Sequence, residues 1–221
     1  LNKLNLKNLI NLIINNKIIL TFVALLILFV SYLLLPTFYK QSELSEKLKS
    51  ELSTKLNLNF KFSDKLSYNF FPKPHFIISD TIINYKKEDL FQIDKLKVNI
   101  SSDNLFSLEN INIKDIELEN ANFYLNQKNF DFFLQLLNNK FDTKTVKIIN
   151  SNVFFKNSYN EVLFINKILN MKYFYDPKEL KNIIISENEI FNIPYQIKLY
   201  DDKINKKLWS EINVSLFKLK L

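Results

Sequence analysis

The sequence predicts a mainly β protein that is attached to a membrane by one N-terminal helix. Three features predict this fold class: an uncharged apolar stretch, a row of leucines at helical spacing after it, and alternating apolar and polar residues over most of the remaining chain. Alternation with period two is typical of strands that bury one face and expose the other. The predicted parts are a basic tail (1–17), a transmembrane helix (18–39), an amphipathic helix (40–57), a β unit ending in a helix (58–142) and a second β unit (143–221).

The membrane helix is predicted from Ile18–Leu35, which carries no charge and is followed by uncharged residues through Tyr39. A helix of that length rises about 27 Å, close to the roughly 30 Å of a bilayer's hydrocarbon core. A cleaved signal peptide is the alternative, but its apolar region is usually about 7–15 residues long and ends at small residues. Bulky leucines precede Pro36 here, so we expect an uncleaved anchor.

The charges on either side of this stretch predict its orientation. Lys3, Lys7 and Lys17 precede it without an acidic residue, whereas Glu43 and Glu46 follow it. Positively charged flanks tend to stay in the cytoplasm. We therefore expect a single-pass membrane protein with a cytoplasmic N-terminus and an exported C-terminal domain.

A second helix is predicted over Gln41–Leu56. Leu44, Leu48, Leu52 and Leu56 recur at every fourth position, which gives one narrow apolar face on an otherwise polar helix. Two interpretations stay open at this point. The helix lies on the membrane surface or closes one end of the following sheet, or it is an ordinary packing helix.

From Leu58 onward the alternation predicts a sheet with one apolar and one polar face. Leu96, Val98 and Ile100, for example, alternate with lysine and asparagine. The alternation over 111–118 changes phase near Asp115, which predicts a β-bulge or a turn there. Further strand-like runs are 121–126, 146–149, 152–155, 181–185, 193–200 and 211–221.

One helix is predicted within the β region, over Asn129–Phe141. Its apolar face consists of Phe130, Phe133, Leu134, Leu137 and Phe141. Strand-like runs resume after Lys144, so we expect a second β unit rather than one continuous sheet. The alternation persists to Leu221 without a capping signal, so we expect either that the natural chain continues or that this is a shortened reading frame.

The composition argues against most enzyme classes. The chain has no Gly, no Cys and one His. Phosphate-binding loops, dinucleotide fingerprints and nucleophile elbows need Gly, and thiol catalysis and Cys-rich zinc sites need Cys. An AT-rich genome would produce part of this bias. We therefore expect a protein that is not an enzyme, with no catalytic residue, no cofactor and no metal site.

The charged residues give no functional signal of their own. The net charge of +7 includes the three lysines before the apolar stretch, which leaves +4 (7 minus 3) for the rest, so no nucleic-acid surface is needed to explain it. His75 has no nucleophile or orienting acid nearby in sequence and is predicted to be a loop residue. The acids Asp64, Asp80, Glu88 and Asp94 are irregularly spaced, and all but Asp80 are next to a lysine, as expected for a solvated surface.

Several segments follow one another in the order known from one family. The apolar helix ends in Leu33–Pro36, the leucine helix follows, Leu66–Pro72 reads LSYNFFP, and Phe76–Ile82 has an Asp before a strand. The stretch Leu96–Leu125 then gives an alternating strand, a short loop and a pair of strands. In this order they resemble the AsmA-like proteins of Gram-negative bacteria, of the AsmA/TamB type, over most of the first 140 residues. Two departures are the missing glycine around Leu105–Glu109 and Ala121 where proline is common.

This resemblance implies a chorein-like start followed by a curved antiparallel β-sheet that forms an open groove of the repeating β-groove type. Related bridge-like lipid-transfer proteins are thought to move phospholipids along such grooves. The implied partners are phospholipids and the inner membrane, and the implied function is holding acyl chains for transport towards the outer membrane or for its homeostasis. The candidate groove residues are Val98, Ile100, Ile111, Ile113, Ile116, Leu118, Phe123 and Leu125.

Two alternatives stay open. Each candidate groove residue could instead belong to a dry core between packed layers. The family resemblance also allows a membrane-anchored assembly factor for outer-membrane proteins, which would bind outer-membrane or periplasmic proteins at an exposed strand edge.

Overall fold

The structure, a computed structural model, describes residues 17–56, 58–63, 65–85, 88–133, 145–202, 205 and 207–214. The predicted basic tail and the end of the last predicted strand lie outside these residues, apart from Lys17. Short 3₁₀ turns occur at Leu35–Phe38 and Leu108–Asn110. The helices are α1 (Lys17–Leu33) and α2 (Gln41–Leu56), and the strands are β1 (Asn59–Lys61), β2 (Leu66–Asn69), β3 (His75–Tyr85), β4 (Glu88–Ile100), β5 (Ile113–Leu125), β6 (Thr145–Lys156), β7 (Val162–Asp176), β8 (Lys181–Ile190), β9 (Ile193–Asp202) and β10 (Lys207–Val214).

The first helix is shorter than the predicted span over 18–39. It ends at Leu33, and a 3₁₀ turn follows because Pro36 has no N–H group to continue the helical hydrogen bonding. None of the residues of α1 is buried. In the part of the chain that the structure describes, no helix combines the length and the apolar character needed to cross a membrane.

The ten strands form one open, mostly antiparallel sheet, so the predicted mainly β fold is confirmed. The strand order is β1–β3–β4–β5–β6–β7–β8–β9–β10, and β2 pairs with β3 on the same side as β1. The predicted irregularity near Asp115 is also confirmed. Asn99 pairs with Asp115 but Ile100 pairs with Ile113, which leaves Lys114 as the extra residue of a bulge.

The expectation of a separate second β unit after residue 143 is wrong as far as the sheet is concerned. Strand β6 pairs in parallel with β5, with Leu118 opposite Ile148, so the strands before and after the connection belong to one sheet. Parallel neighbours need a long crossover connection, and residues 126–144 provide it. The sequence pattern identifies strands but not which strands become neighbours.

Helix α2 resolves one of the open alternatives. It forms over Gln41–Leu56 as the leucine spacing predicts, and Leu44, Leu48 and Leu52 are 2%, 0% and 0% exposed within the main hydrophobic core. The helix contacts β1 and the second 3₁₀ turn. A helix that buries its leucine stripe in this way packs against the sheet region and does not present that stripe to a membrane surface.

The core lies on one face of the sheet, called here the inner face and defined by Leu96, Leu118 and Ile148. The predicted runs 146–149 and 152–155 belong to the single strand β6. The alternation is interrupted between them because Asn150 adopts a left-handed backbone (φ 49°) and shifts it by one residue. Asp80 in β3 and Asn120 in β5 also have positive φ values, of 52° and 54°. Asn and Asp tolerate this conformation better than other residues with a Cβ atom, so they take the place of glycine in this chain.

Candidate functional site: an apolar cavity on the inner face

A cavity of about 320 Å³ opens on the inner face of the sheet. Its described lining comes from β1, from strands β3 to β8 and from the residues around the start of the helix after β5. The side chains share an apolar or aromatic character. They are Leu58, Phe60, Ile83, Phe91, Ile93, Leu96, Ile116, Leu118, Phe123, Leu125, Phe130, Phe133, Val146, Ile148, Val153, Ile168, Met171, Tyr173 and Ile184.

Strand register explains why these residues meet. Directly opposed residues on neighbouring strands place their side chains on the same face. One row across four strands consists of Leu96, Leu118, Ile148 and Met171. A second row consists of Ile116, Val146, Tyr173 and Ile184. The two rows form a continuous apolar floor across β4 to β8.

Aromatic rings form one wall of the cavity. The rings of Phe91 and Phe123 are 4.9 Å apart between centroids, and those of Phe91 and Phe133 are 5.4 Å apart. Phe133 belongs to the helical turn that follows β5, in the part of the predicted helix 129–141 that the structure describes. These contacts fix the position of the turn over the sheet, so the cavity has a wall as well as a floor.

The opposite face of the same strands is charged. Lys95 pairs with Glu119 at 2.7 Å and Lys97 with Glu117 at 3.8 Å, in each case between directly opposed residues of β4 and β5. The alternation along β5 thus separates an apolar from a charged surface. Positions such as Leu118 and Glu117 are adjacent in sequence but lie on opposite faces.

The apolar lining gives way to polar side chains at β8. Ser186 lies opposite Met171 and donates a hydrogen bond of 2.8 Å to Asn188 Oδ1. The Tyr195 hydroxyl of β9 donates a bond of 2.6 Å to Asn166 Oδ1. Ser186, Asn188 and Asn166 are all buried. The inner face therefore has an apolar region over β4 to β7, with Ile184 of β8, and a border of buried polar side chains next to it.

Tyr173 is uncharged at neutral pH. Its burial, and then the nearby Asp201, raise the pKa of the Tyr173 hydroxyl well above its ordinary value.

The eight predicted groove residues fall into two sets. Ile116, Leu118, Phe123 and Leu125 line the cavity. Val98, Ile100, Ile111 and Ile113 are not among its described lining residues, and they lie, 0–5% exposed, in the hydrophobic core that also contains the leucines of α2. Ile116, Leu118 and Phe123 belong to the same core, and contact with lipid stays a prediction for all eight residues.

The sequence prediction missed several lining residues. Ile148 lies in a run that was predicted as a strand, so its alternation with Lys147 was an available signal. Met171 and Ile168 were harder to find, because the β7–β8 register shifts between Ile168 and Asn170 and interrupts the alternation. Phe60 lies in β1, a strand of three residues that is too short to show a period.

The other residues examined for chemistry have structural roles. His75 is not a loop residue as predicted. It begins β3, is 5% exposed, and its Nδ1 atom lies 2.7 Å from the Lys73 carbonyl oxygen. Asp80 forms an ion pair with Lys65 at 2.9 Å. Within the described ranges, no three His, Asp or Glu side chains come together as metal ligands would.

Comparison with known families agrees with this architecture. The profile of the AsmA family matches residues 15–163, about two-thirds of the chain, from the start of α1 to the beginning of β7. The chain belongs to the AsmA family. The resemblance noted in the sequence is thereby confirmed. No individual curated protein shows significant similarity to the chain.

Membership of the AsmA family suggests a role in envelope lipid or outer-membrane biogenesis. The matched region contains α1 and most of the strands that line the cavity.

Proposed function

We propose that this AsmA-family protein is a non-enzymatic lipid-handling protein of the bacterial inner membrane, and that its periplasmic sheet holds phospholipid acyl chains in the inner-face cavity. The bound lipid would be in transit towards the outer membrane or held for its homeostasis. The observation that carries the proposal is the cavity of about 320 Å³ with an apolar and aromatic lining.

The size and chemistry of the cavity suit part of an acyl chain. Sites for small molecules usually occupy about 300–1,000 Å³, and an apolar cavity of about 150 Å³ already accommodates benzene. Each methylene removed from water contributes about 0.8 kcal/mol. A few methylenes in this cavity would therefore give measurable affinity without any charged contact.

The anchor is supported by the N-terminal segment. The uncharged residues 18–39 include α1 and the 3₁₀ turn after it. Large side chains along α1 face outward, with Ile18 81% and Phe22 66% exposed. Such a surface is costly in water and favourable in hydrocarbon. With lysines before it and glutamates after it, the segment favours a cytoplasmic N-terminus and a periplasmic sheet.

A second candidate function is supported by the strand at the edge of the sheet. All eight residues of β10 are exposed, and Leu208 and Ile212 on its inner face are each 60% exposed. Edge strands offer unpaired backbone groups to a partner strand. This favours an assembly factor that binds outer-membrane proteins by strand addition, with protein rather than lipid as the partner.

The amount of phospholipid that copurifies with the chain separates the two functions. The full chain is purified in a mild detergent, and its bound phospholipid is measured by mass spectrometry. Ile148→Trp should fill part of the cavity and reduce the lipid severalfold, whereas Lys147→Trp on the opposite face is the matched control and should retain it. Equal lipid content in both variants would reject the cavity as the lipid site. Outer-membrane proteins that copurify with the chain and are lost on substitution of Leu208 or Ile212, without a change in lipid, would favour the assembly factor.

A further inference from the structure

Three large aromatic side chains are exposed around the C-terminal end of α1. Phe38, Phe71 and Phe106 are 83%, 80% and 76% exposed. They come from three separate segments: the 3₁₀ turn after α1, the loop between β2 and β3, and the loop between β4 and β5. These three residues are called the phenylalanine collar below.

Hydrogen bonds join the last turn of α1 to the β4–β5 loop and to β2, the strand directly before the loop that carries Phe71. The Tyr32 hydroxyl donates to the Ser102 carbonyl oxygen at 2.6 Å and accepts a bond from the Leu105 N–H at 3.1 Å. The Tyr68 hydroxyl donates to the Leu33 carbonyl oxygen at 2.7 Å. The ring of Phe106 also lies 5.0 Å from that of Tyr32. The collar is therefore held at the point where α1 meets the sheet.

The tyrosine hydroxyl groups next to the collar are used in hydrogen bonds within the protein. The hydroxyl groups of Tyr32, Tyr68 and Tyr39 all donate to backbone carbonyl oxygens, Tyr39 to that of Leu105. Burying a Phe side chain contributes about 1.5–3 kcal/mol, so three exposed rings represent a considerable unused apolar surface. A surface of this kind marks an interaction site.

We propose that the phenylalanine collar inserts into the membrane interface around α1, so that the protein contacts the bilayer with its folded domain as well as with its helix. This inference rests on the proposed anchor. Helix α1 ends at Leu33, and the uncharged residues 34–39 continue from it to the exposed ring of Phe38.

A bilayer is the occupant that fits best. Phe38 follows the end of α1 by five residues and the ring of Phe106 lies 5.0 Å from that of Tyr32, so the collar adjoins the exposed apolar side chains of α1. Lys40 and Lys73 are exposed beside Phe38 and Phe71 in sequence, where their ammonium groups can reach lipid phosphates.

Fluorescence quenching by brominated lipids tests this proposal. Trp209 is the only tryptophan of the chain, and Trp209→Phe keeps an aromatic ring against Tyr200. In that background, Phe71→Trp and Phe106→Trp each place one tryptophan in the collar. The full chain is reconstituted into phosphatidylcholine vesicles with bromine near the headgroup or near the chain end. The matched control is Tyr159→Trp in the β6–β7 turn, because the Tyr159 side chain is 84% exposed, about as much as the collar residues.

The expected result is a blue-shifted emission at positions 71 and 106 that bromine near the headgroup quenches more than bromine near the chain end, with no quenching at position 159. Phe22→Trp in α1 tests the membrane anchor independently of the collar. Quenching at position 22 without quenching at 71 and 106 would overturn the collar and leave the anchor intact. No quenching at position 22 would overturn the anchor, and the collar with it.

Discussion

Asn120 and Asn150 occupy equivalent positions on the neighbouring parallel strands β5 and β6, and both have a left-handed backbone, with φ values of 54° and 49°. On each strand the buried residues change phase at this point: Leu118 precedes Asn120 and Ala121 follows it, while Ile148 precedes Asn150 and Ser151 follows it. The Ala121 N–H donates to Ser151 Oγ at 2.9 Å and joins the two strands immediately after the shift. The two asparagines therefore keep an apolar inner face on both sides of the same irregularity.

Replacing Asn150 should show the cost of this backbone conformation. Alanine in the left-handed region costs about 1–2 kcal/mol, whereas glycine adopts it freely. We expect Asn150→Ala to lower the free energy of unfolding by about that amount and Asn150→Gly to be more stable than Asn150→Ala by about 1 kcal/mol. Denaturant unfolding of the detergent-solubilised chain measures both. Equal stability of the two variants would show that the backbone at position 150 is not the limiting feature.

The leucine stripe of α2 should contribute to stability and not to membrane binding. Leu48 is fully buried, so Leu48→Ala should cost about 2–5 kcal/mol through lost burial and the resulting cavity. Ser50→Ala on the exposed side of the same helix is the control and should change stability by less than about 0.5 kcal/mol. Denaturant unfolding measures this difference in stability as a shift of the midpoint at an unchanged m-value. A Leu48→Ala variant as stable as the control would contradict the buried position.

Tyr68 should make stability depend on pH in the alkaline range. Burial, followed by the neighbouring Tyr39 and Tyr32, raises the pKa of Tyr68 to about 12. The folded state thus favours the neutral hydroxyl, and this contribution is fully present below the unfolded pKa of about 10 and is lost as the pH rises towards about 12. We expect Tyr68→Phe to be less stable at neutral pH, because it lacks the bond to the Leu33 carbonyl oxygen, but to lose less stability across this window. Parallel stability curves for both proteins between these pH values would refute the assignment.

The polar border at β8 should limit the lipid-binding region. Asn188 is 4% exposed and accepts a hydrogen bond from Ser186. The double variant Ser186→Ala with Asn188→Leu removes both polar groups together and should extend the apolar surface, so copurifying phospholipid should increase. Glu187→Ala, whose residue lies between them on the opposite face, is the control. Unchanged lipid content in the double variant would mean that β8 lies outside the lipid-binding surface.

Local patterns were sufficient to predict much of this structure. The spacing of Leu44, Leu48 and Leu52 predicted α2 with its observed bounds, and the alternation through Ile116 and Leu118 predicted an apolar face that includes part of the cavity lining. These signals are local, because the spacing of apolar residues within one helix or strand determines which of its faces is apolar.

Features that depend on distant contacts were not predictable. The parallel pairing of β5 with β6 depends on where the connection 126–144 runs, and the single sheet was therefore missed. Ser186, Glu187, Asn188 and Glu189 are all polar, so no alternation indicates that Ser186 and Asn188 face inward. Val98 and Ile113 are buried in the core that also contains the leucines of α2. Which part of the inner face α2 covers depends on contacts between distant segments, and the alternation within a strand does not indicate it.

Photocrosslinking at Leu118 tests the central claim most directly. A photoreactive amino acid replaces Leu118 in the cavity lining or, as the control, Glu117 on the charged face of the same strand. After irradiation in living cells, the adducts are identified by mass spectrometry. The account predicts phospholipid adducts at position 118 and none at position 117. Only intramolecular or protein adducts at position 118 would mean that the cavity holds no lipid in the cell, and the lipid-handling function would be wrong.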